Sequence, residues 1–169
     1  MPLRGGYPRP LQPGRVIWHE KYSQPPKLLL AVDAVSGFRT FVKFHEKSVN
    51  DALGMAFGYA IVCKVDGQPY FDTQGDHIPE DSMLAAAAEF MQSERVGKEM
   101  HKGDQVGQVV FAVPLTDDIM EANGIVAEKS GLFIGWKPSD PAVLAKIKDG
   151  TYKGFSIGGE RVTDEEVAL

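Results

Sequence analysis

The 169-residue sequence has a single cysteine, no excess of basic residues and no long apolar run. Because Cys63 is alone, the chain has no internal disulfide and no zinc site rich in thiolates. A net charge of −5 argues against binding a phosphate backbone as the main task, since that needs a basic face. No apolar run approaches the length of a bilayer span, so we expect no membrane insertion.

What is present fits one soluble domain in a reducing compartment. The length agrees with a single domain, and contents of 43% hydrophobic and 24% charged residues are ordinary for a globular protein. The first residues lack the apolar segment of a secretory signal, and the lone cysteine is typical of a protein from a reducing compartment. We therefore expect the protein in the cytoplasm.

Composition divides the chain into three parts. Residues 1–26 contain six of the 11 prolines. Because proline lacks the N–H donor that helices and strand ladders need, this part is predicted to be an extended arm or linker, with simple disorder as the alternative. One folded, protease-like domain is expected at 27–160, and an acidic polar tail without assigned structure at 161–169.

Residue spacing predicts strands with short helices between them. Strict alternation over residues 57–65 is typical of a strand with one buried face. Capping residues and helical spacing predict helices over about 80–92, after Thr116 and after Asp140. Further strands are predicted at 28–32, 106–113, 132–136 and 152–157, and the polar stretch 92–102 is assigned no element. The mixture predicts an α+β or barrel-like fold.

The segment Gly154-Phe155-Ser156-Ile157-Gly158 sets a serine between glycines on a predicted strand. A serine hydroxyl becomes a nucleophile when a neighbouring base takes its proton, and histidine is the usual base near neutral pH. The spacing matches the nucleophile elbow of α/β-hydrolases, but that fold places its histidine after the serine. All four histidines precede Ser156, so the match to that fold is coincidental.

His101 is the best candidate for the base, because it immediately precedes a predicted strand that would hold it rigidly. His19 belongs to the proline-rich arm, His45 lies among charged residues, and His77 follows Asp76 just before a helix. A lone serine on an apolar strand is usually structural, as is a surface histidine. The pair therefore needs further support.

Asp72, Asp76 and His77 lie within six residues and form a second candidate site. Two carboxylates and an imidazole can hold a metal for a metal-assisted hydrolase, but the spacing fits neither the EF-hand loop nor the zinc patterns. The alternative is a turn in which the aspartates accept hydrogen bonds from nearby backbone N–H groups. We predict no bound metal and no cofactor.

Segments between about residues 55 and 160 together carry a family resemblance. They are Phe57-Gly58-Tyr59-Ala60 with Asp72-Thr73-Gln74-Gly75-Asp76, then Met100-His101-Lys102, then residues 131–136, and finally residues 148–159. In this order they resemble the phage prohead (capsid maturation) proteases, in particular the XkdF-like serine protease branch. A fainter likeness to the herpesvirus assembly proteases implies a β-barrel-like core flanked by short helices.

The resemblance implies roles for Ser156, for His101 and for the three residues that follow the serine. By position, Ser156 is the implied nucleophile and His101 the implied general base. The backbone N–H groups of Ile157, Gly158 and Gly159 are the implied oxyanion donors, because glycines let a substrate approach closely.

The third triad member is where the chain departs from the family. The family's member lies downstream of the serine on an additional strand, and here only a few acidic residues follow, with no recognisable strand to hold them. Asp76 is our first choice for the acid that orients the histidine. A Ser–His dyad and a loss of activity are the other readings.

The resemblance implies a serine endopeptidase that cuts the capsid scaffold and the major capsid protein through an acyl-enzyme. It places the enzyme in the host cytoplasm, inside the assembling phage prohead. A homo-oligomer is possible in either case, and neither nucleic acid nor a membrane is expected as a partner. The alternative is a non-catalytic head-assembly or scaffold protein that keeps the protease fold.

Overall fold

The computed structural model describes residues 15–16, 28–33, 42–43, 48–72, 75–93, 95–99, 102–159 and 165–166. These residues form twelve strands and three helices. The strands are β1 Arg15–Val16, β2 Leu28–Asp33, β3 Val42–Lys43, β4 Val49–Asn50, β5 Met55–Val65, β6 Gln68–Pro69, β7 Asp76–His77, β8 Val96–Glu99, β9 Lys102–Leu115, β10 Lys129–Pro138, β11 Gly154–Gly159 and β12 Glu165–Glu166. The helices are α1 Glu80–Ser93, α2 Asp117–Asn123 and α3 Pro141–Lys148.

Nine of the described strands form one mostly antiparallel sheet. The order is β3-β11-β2-β8-β9-β10-β5-β4, and β6 pairs with β5. The sheet curls until β11 and β3 approach β5. The end strands β3 and β4 have only two residues each, and no ladder joins the two ends among the described strands. The α+β prediction is therefore confirmed, but the barrel is wrong, because this sheet is open.

A second, three-stranded sheet contains residues from both the predicted arm and the predicted tail. β1 pairs with β12 and with β7, so Arg15 is in register with both Glu166 and Asp76. The expectation of no ladder in the arm is wrong at residues 15–16, and no structure had been assigned at 165–166. Neither residues 15–16 nor residues 165–166 include proline, so each of them has the backbone N–H that a ladder needs. A ladder this short depends on backbone hydrogen bonds alone. The domain boundaries stay predictions.

The apolar core lies between the curled sheet and helices α1 and α3. On α1 the buried residues Met83, Ala87 and Phe90 recur at helical spacing, which confirms the helix predicted at 80–92. Trp136 of β10 and Phe155 of β11 are completely buried and meet edge to face, with ring centroids 6.2 Å apart. None of the helices in the described residues is long and apolar enough to cross a membrane.

Capping side chains start the two short helices as predicted. The Thr116 hydroxyl accepts a hydrogen bond from the Ile119 N–H at 3.3 Å, and Gly124 ends α2 in the left-handed conformation with φ +63°. A carboxylate oxygen of Asp140 accepts a hydrogen bond from the N–H of Ala142 at 2.8 Å at the start of α3.

Strand β8 lies inside the stretch 92–102, which had been assigned no element. It forms a hairpin with β9 and pairs in parallel with β2. Its four residues show no alternation of apolar and polar types, so hydrophobic periodicity does not reveal it. Pairing with the adjacent β9 and with β2, which is distant in sequence, holds it in place.

Candidate active site

Ser156 lies in the middle of β11 and pairs with Ala31 of β2. Its neighbours Phe155 and Ile157 belong to the core, so strand alternation turns the Ser156 side chain to the opposite face. The side chain is nevertheless buried, with 0% exposure. In this conformation no substrate carbonyl can contact the hydroxyl.

His101 lies outside the described residues, but both strands that flank it are described. Glu99 ends β8, Lys102 begins β9, and the two residues pair. Glu99 is also in register with Val32 of β2, which pairs with Phe155 of β11. The hairpin containing His101 and the serine strand thus belong to one sheet and are two strand spacings, or about 10 Å, apart.

The predicted oxyanion donors Ile157, Gly158 and Gly159 form the end of β11 and pair with β2. On the other edge of β11, the only described partner is β3, whose pairing covers Gly154 and Phe155 alone. From Ser156 onward, no other described strand occupies that edge. An extended peptide added there would lie directly beside the serine.

Asp76 lies in β7, in the three-stranded sheet and not in the sheet that contains Ser156. Its N–H donates to a carboxylate oxygen of Asp72 at 3.0 Å, and its carbonyl accepts from the Asp72 N–H at 2.9 Å. These bonds form the kind of turn that the sequence offers as the alternative to a metal site. Among the described residues, no three His, Cys, Asp or Glu side chains are grouped as metal ligands.

His77 is half-buried and has a structural contact. Its Nδ1 lies 3.0 Å from the Tyr70 carbonyl oxygen and donates to it, which leaves Nε2 unprotonated in the neutral ring. The ring also packs 5.4 Å from the Phe71 ring, centroid to centroid. Burial lowers the pKa of His77, so the neutral form prevails near pH 7.

Sequence reasoning missed Trp136, whose indole crosses the inner side of the sheet. The indole lies against Gly97 of β8 and Gly107 of β9, which pair with each other. A Cβ at Gly97 would lie 2.9 Å from Trp136 Cε2, and a Cβ at Gly107 would lie 2.5 Å from the same atom. Only glycines fit beneath the ring. Isolated glycines in sequence resemble loop residues, and the pairing of the strands is needed to recognise the slot.

Comparison with known families gives a match over residues 42–165, more than two thirds of the chain. The matching model is described as "Putative phage serine protease XkdF". No curated protein and no solved structure matches the chain, and the likeness to herpesvirus assembly proteases stays a prediction. The matched range includes Ser156, His101 and Asp76, and it confirms the resemblance seen in the sequence. The chain belongs to this family of phage serine proteases.

Proposed function

We propose that the protein is a serine endopeptidase of phage head assembly, with Ser156 as nucleophile and His101 as general base. Family membership supports the reaction class. The observation that carries the residue assignment is the shared sheet, in which only β2 separates the serine strand from the hairpin containing His101. Among the described strands, none pairs with the β3 side of β11 beyond Phe155, which supports binding of an extended substrate beside Ser156.

The proposed reaction proceeds in two halves. His101 takes the hydroxyl proton of Ser156 as the oxygen attacks the scissile carbonyl, and the N–H groups of residues 157–159 stabilise the oxyanion. The tetrahedral intermediate collapses to an acyl-enzyme as His101 returns the proton to the leaving amine. Water, deprotonated by His101, then releases the acyl group and restores Ser156. Asp76 is the proposed third member that orients the imidazole.

The proposed substrates are the capsid scaffold and the major capsid protein, cut inside the prohead in the host cytoplasm. No cofactor, nucleic acid or membrane takes part in this proposal. The net charge of −5 supports a protein substrate rather than a nucleic acid. A homo-oligomer inside the prohead is compatible with the proposal.

The test replaces Ser156 with alanine in protein co-expressed with the scaffold and the major capsid protein. Ser130→Ala is the matched control, because Ser130 is also a buried serine on a strand, with 3% exposure. We expect S156A to stay folded and to abolish processing, whereas S130A keeps it. Continued cleavage by S156A with host proteases inhibited would reject the assignment.

The complete burial of Ser156 favours a second candidate, a non-catalytic head-assembly protein that keeps the protease fold. A fluorophosphonate probe separates the two functions, because it forms a stable bond only with an activated serine. The proposed enzyme reacts at Ser156, identified by mass spectrometry, and the His101→Ala variant does not. A wild-type protein that stays unlabelled in assembled proheads as well as in solution is the non-catalytic one.

A further inference from the structure

Trp136 contacts both the serine strand β11 and the β8–β9 hairpin. Its ring meets Phe155, the residue before Ser156, with planes at 80°. It also covers Gly97 and Gly107, which belong to the β8–β9 hairpin that contains His101. We infer that Trp136 is a positioning residue that fixes the orientation of the serine strand relative to the histidine hairpin across the inner side of the sheet. This inference rests on the proposed function.

The surroundings of Trp136 leave it little freedom to move. The side chain is completely buried, and the glycines allow the ring to approach the backbone of β8 and β9 more closely than any other residue type would. Next to Gly107, the carbonyl oxygen of Lys137 would lie 2.7 Å from an added Cβ, so this side of the slot is formed by backbone. A rigid slot of this kind transmits a displacement of the ring to both neighbouring segments.

The buried indole N–H supports a role beyond filling space. Trp136 Nε1 has no hydrogen-bond partner, one of few such buried side-chain atoms in the described part of the chain. An unpaired buried donor destabilises the fold, and a phenylalanine there would avoid that cost. The indole extends from β10 over Gly107 and Gly97 to Phe155.

A matched pair of substitutions tests this inference. Phe155→Leu removes the ring that links Trp136 to the serine strand, and Phe90→Leu makes the same change on α1 in the same core. A misplacement of about 1 Å at a catalytic pair can lower the rate by about 100-fold. We expect F155L to lower kcat and the fluorophosphonate labelling rate at least tenfold with KM within twofold, and F90L to lower either less than threefold.

Trp136→Phe completes a double-mutant cycle. If Trp136 acts through Phe155, W136F combined with F155L lowers kcat no further than the more damaging single variant, whereas independent effects multiply. Two outcomes would overturn the inference. One is an equal loss of kcat in F155L and F90L at matched stability, and the other is a loss in the double variant that equals the product of the two single losses. If W136F does not fold, hydrogen exchange in F155L decides, because an effect of Phe155 on its neighbour Ser156 alone would not reach β8.

Amide hydrogen exchange provides a readout that needs no activity. We expect F155L to raise exchange in residues 96–99 as well as in 154–159, because the two segments share Trp136, while F90L leaves both unchanged. Exchange confined to β11 would overturn the inference. A wild-type protein that neither cleaves nor labels rejects the proposed function, and the exchange result still decides whether Trp136 couples the segments.

Discussion

Replacing Gly131 with alanine tests the irregularity that lets β10 follow the curled strand β5. The register between the two strands shifts at Gly131, where φ is +148°. A Cβ at this position would lie 2.9 Å from the carbonyl carbon of Ile61 and 3.0 Å from Cα of Val62. Carbon atoms normally approach to about 3.5–4.0 Å. Because both neighbours are backbone atoms, no side chain can rotate away, and the two strands must separate.

Two contributions set the size of the effect. The sparsely populated backbone conformation costs about 1–3 kcal/mol for alanine, and overpacking against backbone costs about 1–3 kcal/mol more. The sum is a large part of the about 5–15 kcal/mol that stabilises a typical domain. Gly150→Ala is the control, since its φ is +79° but a Cβ there meets no atom within 4 Å.

Urea denaturation followed by circular dichroism measures the difference between these two variants. We expect the unfolding free energy of G131A to fall at least about 1 kcal/mol further than that of G150A, at an unchanged m-value. Equal losses in the two variants would show that the strands absorb the added methyl group. The reasoning about a close backbone approach at Gly131 would then be refuted.

Three further predictions concern titration, reactivity and capping. Burial lowers the pKa of His77, so the unfolded chain binds a proton at this residue before the folded chain does as the pH falls. The unfolding free energy should therefore drop from about pH 6.5 downward and level off below the pKa of the folded state. His77→Asn should lack this pH dependence, and equal pH dependence in both proteins would refute the prediction. Burial, with the Glu80 charge, raises the pKa of the Cys63 thiol to about 12. A thiol reagent at pH 8 should therefore label one thiol per protein molecule, and only after denaturation. Rapid labelling of the folded protein would contradict this. Thr116→Ala should cost about 1 kcal/mol in urea denaturation while Thr116→Ser costs much less, and equal values would exclude the cap.

Local signals in the sequence identify several of the elements. The alternation in residues 57–65 predicts β5, but its single buried face is wrong, because residues 60–63 are all buried. The cap at Thr116 predicts α2. Asp66 and Gly67, with φ of +49° and +74°, form the turn that the sequence indicates after β5. The cap and the turn depend on contacts within a few residues of the chain, whereas the alternation indicates a strand whatever partner it pairs with.

Elements held by distant partners could not be predicted in the same way. Strand β8 depends on β2 and β9, and the two-residue strands β1 and β12 depend on each other. The slot under Trp136 requires Gly97 and Gly107 to lie side by side, which the sequence reveals only once the hairpin register is known. The curl that brings β11 and β3 towards β5 without a ladder between the described end strands is likewise a property of the whole strand order.

For the candidate site, the sequence identifies the serine strand but not the surroundings of the serine. Ser156 lies on a strand as expected, while its complete burial has no signal in the sequence. Asp76, predicted as the orienting acid, lies in the other sheet in register with Arg15. Glu166 is in register with the same arginine, so an acid from upstream and one from downstream of the serine both flank β1. The register of this small sheet, and not sequence order, decides which acids lie near each other.

The fold explains the neighbours of Ser156 better than it explains Ser156 itself. Phe155 and Ile157 contribute apolar area to the core, which is reason enough for those residue types. A serine on the opposite side of the strand contributes little apolar area, and burying its hydroxyl costs free energy unless the hydroxyl is hydrogen-bonded. The same strand has an edge that no described strand covers beyond Phe155. Apolar packing therefore explains the two residues beside Ser156, and not the choice of serine between them.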